Sequence, residues 1–197
     1  MARPKTFSPD DALDDALGVF RRRGYEATSV QDLSEATGLS RSSLYATFGS
    51  KHALYLAALD RYRASGRALL ADALACGSGA SPVRAIRLHL EAVAAERGED
   101  GAPPIGCLMT NAAAEVASRD PETARRTAEA ADHLASAFEA AVARAQALGE
   151  VSPERDALAL GRFLAGTVYG VRGLQKAGAS ADTLGDVVAT AMQAVNG

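Results

Sequence analysis

Between Ala36 and Leu59 the chain carries no aspartate or glutamate, yet it places Ser40, Arg41, Ser42, Ser43, Tyr45, Lys51 and His52 in that stretch. Guanidinium, ammonium and hydroxyl groups are hydrogen-bond donors. A run of donors without carboxylates suits a polyanion. Arginine can take both acceptors of a guanine edge, lysine neutralises a phosphate, and hydroxyls reach either. Elsewhere acids prevail: 21 Lys and Arg stand against 24 Asp and Glu, for a net charge of -3 and an isoelectric point near 5.6. That balance excludes wholesale polyanion binding and leaves room for a local basic face. Other chemistry finds no footing. The histidines are scattered, no His, Cys and carboxylate cluster has metal-ligand spacing, and no glycine-rich loop is built for phosphates. Neither an enzyme, nor a metal, nor a cofactor is expected.

The elements that must hold these donors are helices. Of the 197 residues, 44 are alanine, aromatics make up 5% and tryptophan is absent. Alanine favours helix and disfavours strand, so the fold class expected is all-α. Pro9, Pro82, Pro121 and Pro153 each follow a capping side chain, namely Ser8, Ser81, Asp120 and Ser152. A capping residue followed by proline starts a helix. Gly24, Gly38, Gly77, Gly98, Gly149 and Gly178 end the periodic stretches, where glycine readily takes the left-handed cap. The resulting map has nine helices: Pro9–Arg23, Val30–Thr37, Arg41–Phe48, Lys51–Cys76, Pro82–Arg97, Pro104–Ser118, Pro121–Leu148, Pro153–Ala177 and Asp182–Val195. Three short helices precede residue 50 and longer ones follow. The expected division is a helix-turn-helix head over 1–50 and a larger domain over 51–197, with the fourth helix joining them.

In the head, Leu13, Ala16, Leu17 and Phe20 form one stripe, and Val30, Leu33, Ala36, Leu39, Leu44 and Phe48 complete a small core. Ser29 and Asp32 have capping-box spacing. A short helix, a glycine turn and a second short helix form the helix-turn-helix pattern. With Leu44 and Phe48 turned inward, steps of about 100° per residue put Ser42, Ala46 and Gly49 outward, flanked by Ser43 and Tyr45, with Arg41 at the tip. This small, polar face suits close approach to base edges in a major groove. Ser50 and Lys51 open the fourth helix, whose amides favour phosphate.

The segment Thr28-Ser29-Val30-Gln31-Asp32-Leu33, then Ala36-Thr37-Gly38-Leu39-Ser40-Arg41-Ser42-Ser43-Leu44-Tyr45-Ala46-Thr47-Phe48-Gly49-Ser50-Lys51-His52-Ala53-Leu54-Tyr55, closely resembles the DNA-binding domain of the TetR family. The resemblance implies that Thr28 and Ser29 bond a phosphate, that Arg41–Phe48 is the recognition helix, and that Tyr45 and Lys51 clamp the backbone. Arg41, Ser42, Ser43 and Ala46 are then the base-edge candidates, with Ser40 at the cap. The family often has lysine or proline where this chain has Arg41, so the operator sequence does not carry over. The implied protein is a ligand-responsive homodimeric repressor on a palindromic operator of double-stranded DNA. The alternative is a helical ligand-binding or scaffold protein without DNA binding.

Beyond Lys51 the resemblance is general. The eighth helix holds Gly161, Gly166, Gly170 and Gly173. Each glycine costs about 1 kcal/mol against alanine inside a helix, which close packing offsets. Gly166, Gly170, Leu174, Val188 and Met192 are the candidate dimer interface, with packing inside one chain as the competing explanation. Candidate effector-pocket liners are Leu59, Leu90, Leu108, Met109, Phe138, Phe163 and Tyr169, with Arg87, His89, Asn111 and Glu115 as polar anchors. For each, plain core or surface is the competing role. Cys107 lies in Gly106-Cys107-Leu108, a stretch like one found in some TetR-like regulators. It is either a thiol favoured by a helix dipole or a small buried apolar group. No run of 18 apolar residues suggests a membrane span. The segment after Met1–Lys5 lacks the apolar core of a secretory signal. A cytosolic setting with reduced thiols is therefore expected.

Overall fold

The structure is a computed structural model that describes residues 8–75, 80–97 and 106–196. Within them the chain forms α1 (Pro9–Arg23), α2 (Val30–Thr37), α3 (Arg41–Phe48), α4 (Lys51–Leu74), α5 (Pro82–Ala95), α6 (Leu108–Glu115), α7 (Pro121–Ala147), α8 (Ala157–Lys176) and α9 (Ala181–Asn196). The all-α expectation holds, and α1, α2 and α3 have the expected bounds. The reason is local. Ser8, Ser29, Ser40 and Ser81 each accept a hydrogen bond from the N–H three residues on, which satisfies a donor with no partner inside the helix. Ser29 and Asp32 close a full capping box.

Where caps mislead, the bounds move. Ser152-Pro153 does not start α8. Asp156 does, its carboxylate accepting from the N–H groups of Leu158 and Ala159. The expected sixth helix narrows to α6 because Gly106 has a φ of 90° and Val116, at φ -121°, ends it. Gly77, Gly98, Cys76, Pro104 and the Gly98–Pro103 loop lie outside the described residues.

The helices group into two compact units that do not follow chain order. The first combines α1, α2, α3 and α4 through Ala64 with residues Cys107–Thr127, which comprise α6 and the start of α7. Its core is Ala12, Ala16, Val19, Phe20, Leu33, Leu44, Leu54, Tyr55, Ala58 and Leu59, with Leu108, Met109, Ala112 and Val116 from the later segment. The α1 stripe is turned slightly from expectation: Ala12 and Val19 are buried while Leu13 and Leu17 are half-buried, and Ala36 is exposed. Phe20 and Tyr55 meet edge to face at 5.1 Å. Burying each contributes about 1.5–3 kcal/mol.

The second unit holds α4 from Ser65, α5, α7 from Ala128, α8 and α9. Leu70, Leu74, Ile86, Leu90, Phe138, Val142, Leu164, Val171, Val188, Met192 and Val195 form its continuous core. Gln175 on α8 donates to the carbonyls of Val93 and Ala94, tying off the end of α5.

Candidate nucleic-acid interface

Helix α3 presents the face that the wheel predicts. Leu44 is 3% exposed and Phe48 half-buried, while Arg41, Ser42, Tyr45 and Ala46 face solvent. Ser40 Oγ accepts from Ser43 N–H at 3.1 Å and lies 2.9 Å from both Ser42 Oγ and Ser43 Oγ. These hydroxyls satisfy one another within the chain. The Arg41 guanidinium sits 5.7 Å from the Tyr45 ring centroid, which holds it over the face at little cost in charge.

Lys51 opens α4, where Ser50 Oγ accepts from Ala53 N–H. Its Nζ stands 4.4 Å from the Tyr25 ring centroid, and among the described residues it makes no ion pair. Tyr25 in turn packs on Tyr55 at 4.6 Å. Ser29 remains exposed at the start of α2. Thr28 departs from the expected phosphate role. It is 1% exposed, and its hydroxyl donates to the Gly24 carbonyl at 2.6 Å, so it braces the α1–α2 turn from inside.

That turn is gripped by residues about ninety positions further along the chain. The Glu115 carboxylate accepts from Tyr25 N–H at 3.1 Å and from Glu26 N–H at 2.8 Å. Arg119 pairs with Glu26 at 2.6 Å. His52 Nε2 donates to Asp120 Oδ2 at 3.0 Å, and Asp120 also caps α7 by accepting from Thr123 N–H and Oγ1. Glu115, expected as an effector anchor, therefore belongs to the head. The role of Arg119 escaped the sequence, as did the second role of Asp120, because pairing across such a separation leaves no local pattern.

The Thr123 hydroxyl, and then the hydrogen bond from His52, hold the Asp120 carboxyl at about 2, below its ordinary value. A depressed carboxyl stabilises the folded chain above its unfolded pKa, and that contribution fades as pH falls from about 4 to about 2. Asp120→Asn is expected to unfold at lower temperature than the unaltered chain at about pH 7, with the gap closing below about pH 3. A gap independent of pH would reject this account.

The expected effector liners divide between the units. Leu59, Leu108, Met109 and Asn111 are buried in the first. In the second, His89 meets Phe138 edge to face at 5.8 Å. Burial, and then the Arg172 guanidinium, lower the His89 pKa, so the ring is neutral at pH 7. Leu90 is core and Tyr169 half-buried. Phe163 is 44% exposed and lines no interior. A groove of about 290 Å³ opens between α5 and α9, bordered by Arg87, Glu91, Arg97 and Gly185. Arg87 alone of the expected anchors reaches it. Cys107 is a half-buried free thiol preceding α6 and makes no capping hydrogen bond. No group of three or more His, Cys, Asp or Glu among the described residues could hold a metal ion.

The dimer candidates also divide. Val188 and Met192 are 3% and 1% exposed, deep in the core of the second unit, so they are not interface residues. The outer face of α8 fits better. A Cβ placed on Gly166, Gly170 or Gly173 would meet nothing within 4 Å, and Phe163 and Leu174 on the same helix are 44% and 37% exposed. Gly161 differs: an added Cβ would lie 2.6 Å from the Ala135 carbonyl. Packing within the chain therefore explains that glycine and leaves the other three unexplained.

Comparison with known proteins agrees with this geometry. Residues 12–58 match the family model described as bacterial regulatory proteins, tetR family, and residues 82–191 match the tetracyclin repressor-like C-terminal domain. The chain is 36% identical over 190 residues to an uncharacterized HTH-type transcriptional regulator of Bacillus subtilis, YezE, covering 95% of this chain and 96% of the other. It is 31% identical over 191 residues to the HTH-type transcriptional repressor ComR of Escherichia coli, covering 97% and 90%. Among solved structures it is similar to the transcriptional regulator CifR, in a cysteine variant complexed with 26-bp double-strand operator DNA. There the TM-score is 0.83, the identity 30%, and the coverage 98% of this chain and 99% of that one. No helix among the described residues is long and apolar enough to cross a membrane.

Proposed function

Because the chain belongs to the TetR family of bacterial regulatory proteins, it is a DNA-binding transcriptional regulator, and we propose that it is a homodimeric repressor released from its operator by a small molecule. The observation that carries this reading is the acid-free outer face of α3, with Arg41, Ser42, Tyr45 and Ala46 exposed and Lys51 at its end. Helix α3 enters the major groove. Arg41, Ser42, Ser43 and Ala46 meet base edges, while Tyr45, Lys51 and Ser29 hold phosphates. Two copies of the head occupy half-sites about 34–36 Å apart, so the operator is a palindrome. The comparisons support the repressor assignment through ComR, named a repressor, and CifR, solved on operator DNA. Such a regulator works in the cytoplasm, where the DNA is.

In this reading the DNA-binding head of residues 1–50 is extended by α4 through Ala64, and the effector and dimer functions fall to the second unit, not to the whole of 51–197. The segment Cys107–Thr127 serves the head as a brace. An effector acts only through its different affinities for the bound and released states. The groove between α5 and α9, with Arg87 on its border, is where it would bind.

Gel shifts with the DNA flanking the chain's own gene, at two salt concentrations, test the reading. A fragment bound well above bulk competitor, and more weakly as salt rises, is the expected result. Equal binding to every fragment, or none to any, would favour a helical ligand-binding protein.

A further inference from the structure

The turn that Glu115 grips also carries the platform for Lys51. We propose that Glu115 is a positioning residue for DNA binding: by fixing the Tyr25 backbone it seats the Tyr25 ring under the Lys51 ammonium and aims that charge at a phosphate. The proposal rests on the reading of Lys51 as a phosphate contact.

Four observations converge. The Glu115 carboxylate uses each of its two oxygens on one of two consecutive amides, Tyr25 N–H and Glu26 N–H, at 3.1 and 2.8 Å. Two charge-assisted bonds to adjacent amides define the orientation of that peptide, as one bond would not. The turn is shaped to receive the carboxylate: Gly24 has a φ of 81°, and a Cβ there would lie 2.5 Å from Glu115 Oε2. The Tyr25 ring that leaves this turn has restricted freedom, stacked on Phe20 at 6.3 Å and tilted on Tyr55 at 4.6 Å. Finally, Lys51 Nζ rests 4.4 Å from the centroid of that ring and makes no ion pair among the described residues.

A lysine side chain is long and flexible, and ordering it opposes binding. A cation–π seat limits that freedom without neutralising the charge, as a carboxylate partner would. Arg119 on Glu26 secures the same turn, and Asp120 on His52 ties the start of α4 to the same later segment. The head thus depends for its phosphate contact on a carboxylate 64 positions after Lys51.

Operator affinity measured across a salt series tests this in the full chain, with thermal unfolding recorded for each variant. Lys51→Ala is expected to weaken binding and to reduce the slope of log affinity on log salt by about 1 per protomer contact. Glu115→Ala and Tyr25→Leu are expected to weaken binding about 2- to 5-fold, the size of an exposed cation–π contact, and to flatten the slope in the same sense. Tyr25→Phe keeps the ring and should bind as the unaltered chain does. On a Lys51→Ala background, Glu115→Ala should add no further loss. Losses from Glu115→Ala and Lys51→Ala that multiply, with an unchanged slope for Glu115→Ala, would overturn the proposal and leave Glu115 a brace alone. An unchanged slope for Lys51→Ala would overturn the phosphate assignment itself, a failure visible without any Glu115 variant. If Glu115→Ala does not fold, Tyr25→Leu against Tyr25→Phe decides by the same readout.

Discussion

Gly170→Arg is expected to leave a folded monomer that binds operator at least about 100-fold more weakly than the unaltered chain, since two linked half-sites become two separate ones. The outer face of α8 explains both halves of that expectation. A Cβ at Gly170 meets nothing within 4 Å, nor does one at Gly166 or Gly173, so a long side chain there disturbs no contact within the chain. Arginine is also the better helix former by several tenths of a kcal/mol up to about 1. Stability of the monomer should therefore hold or rise. What is lost is the smooth surface formed by the glycines between Phe163, 44% exposed, and Leu174, 37% exposed. A second helix can pack closely only where side chains are absent, and a buried guanidinium without a partner is costly. Sedimentation at micromolar concentration should show dimers of the unaltered chain and monomers of the variant. Gly161→Ala is the contrast. Its Cβ would meet the Ala135 carbonyl at 2.6 Å, so it should destabilise the fold itself. A dimeric Gly170→Arg protein with undiminished operator affinity would reject α8 as the interface.

Arg41→Ala is expected to cost about 1–3 kcal/mol per half-site on the cognate operator and to relax preference at one symmetric base position. Arg41 is exposed at the tip of α3 and held 5.7 Å from the Tyr45 ring centroid, so it is poised ahead of the helix rather than spent on a carboxylate. Tyr45→Phe, by contrast, removes a phosphate donor and should weaken all sequences about equally. Operator variants measured at two salt concentrations separate the cases. A uniform loss for Arg41→Ala with a changed salt slope would make Arg41 a phosphate contact and leave Ser42, Ser43 and Ala46 to read the bases.

The residues of the head were legible in the chain because their physics is local. Ser29 with Asp32, and Ser40 with Ser43, bond across three residues, and the outward face of α3 follows from a turn of 3.6 residues once Leu44 points inward. The same logic failed where a nearer competitor existed, as when Asp156 took the α8 cap from Ser152. Periodicity also reveals which side of a helix is apolar without saying what covers it. Val188 and Met192 read as interface residues and lie in the core, while Phe163 read as a pocket liner and faces outward. Glu115 read as an effector anchor, and its carboxylate holds two amides 89 and 90 positions away. Only the tertiary structure decides such matters, because a helix face or a carboxylate grip depends on which distant segment arrives opposite it. That choice is made by the packing of the whole core and leaves no trace in the spacing of neighbouring residues.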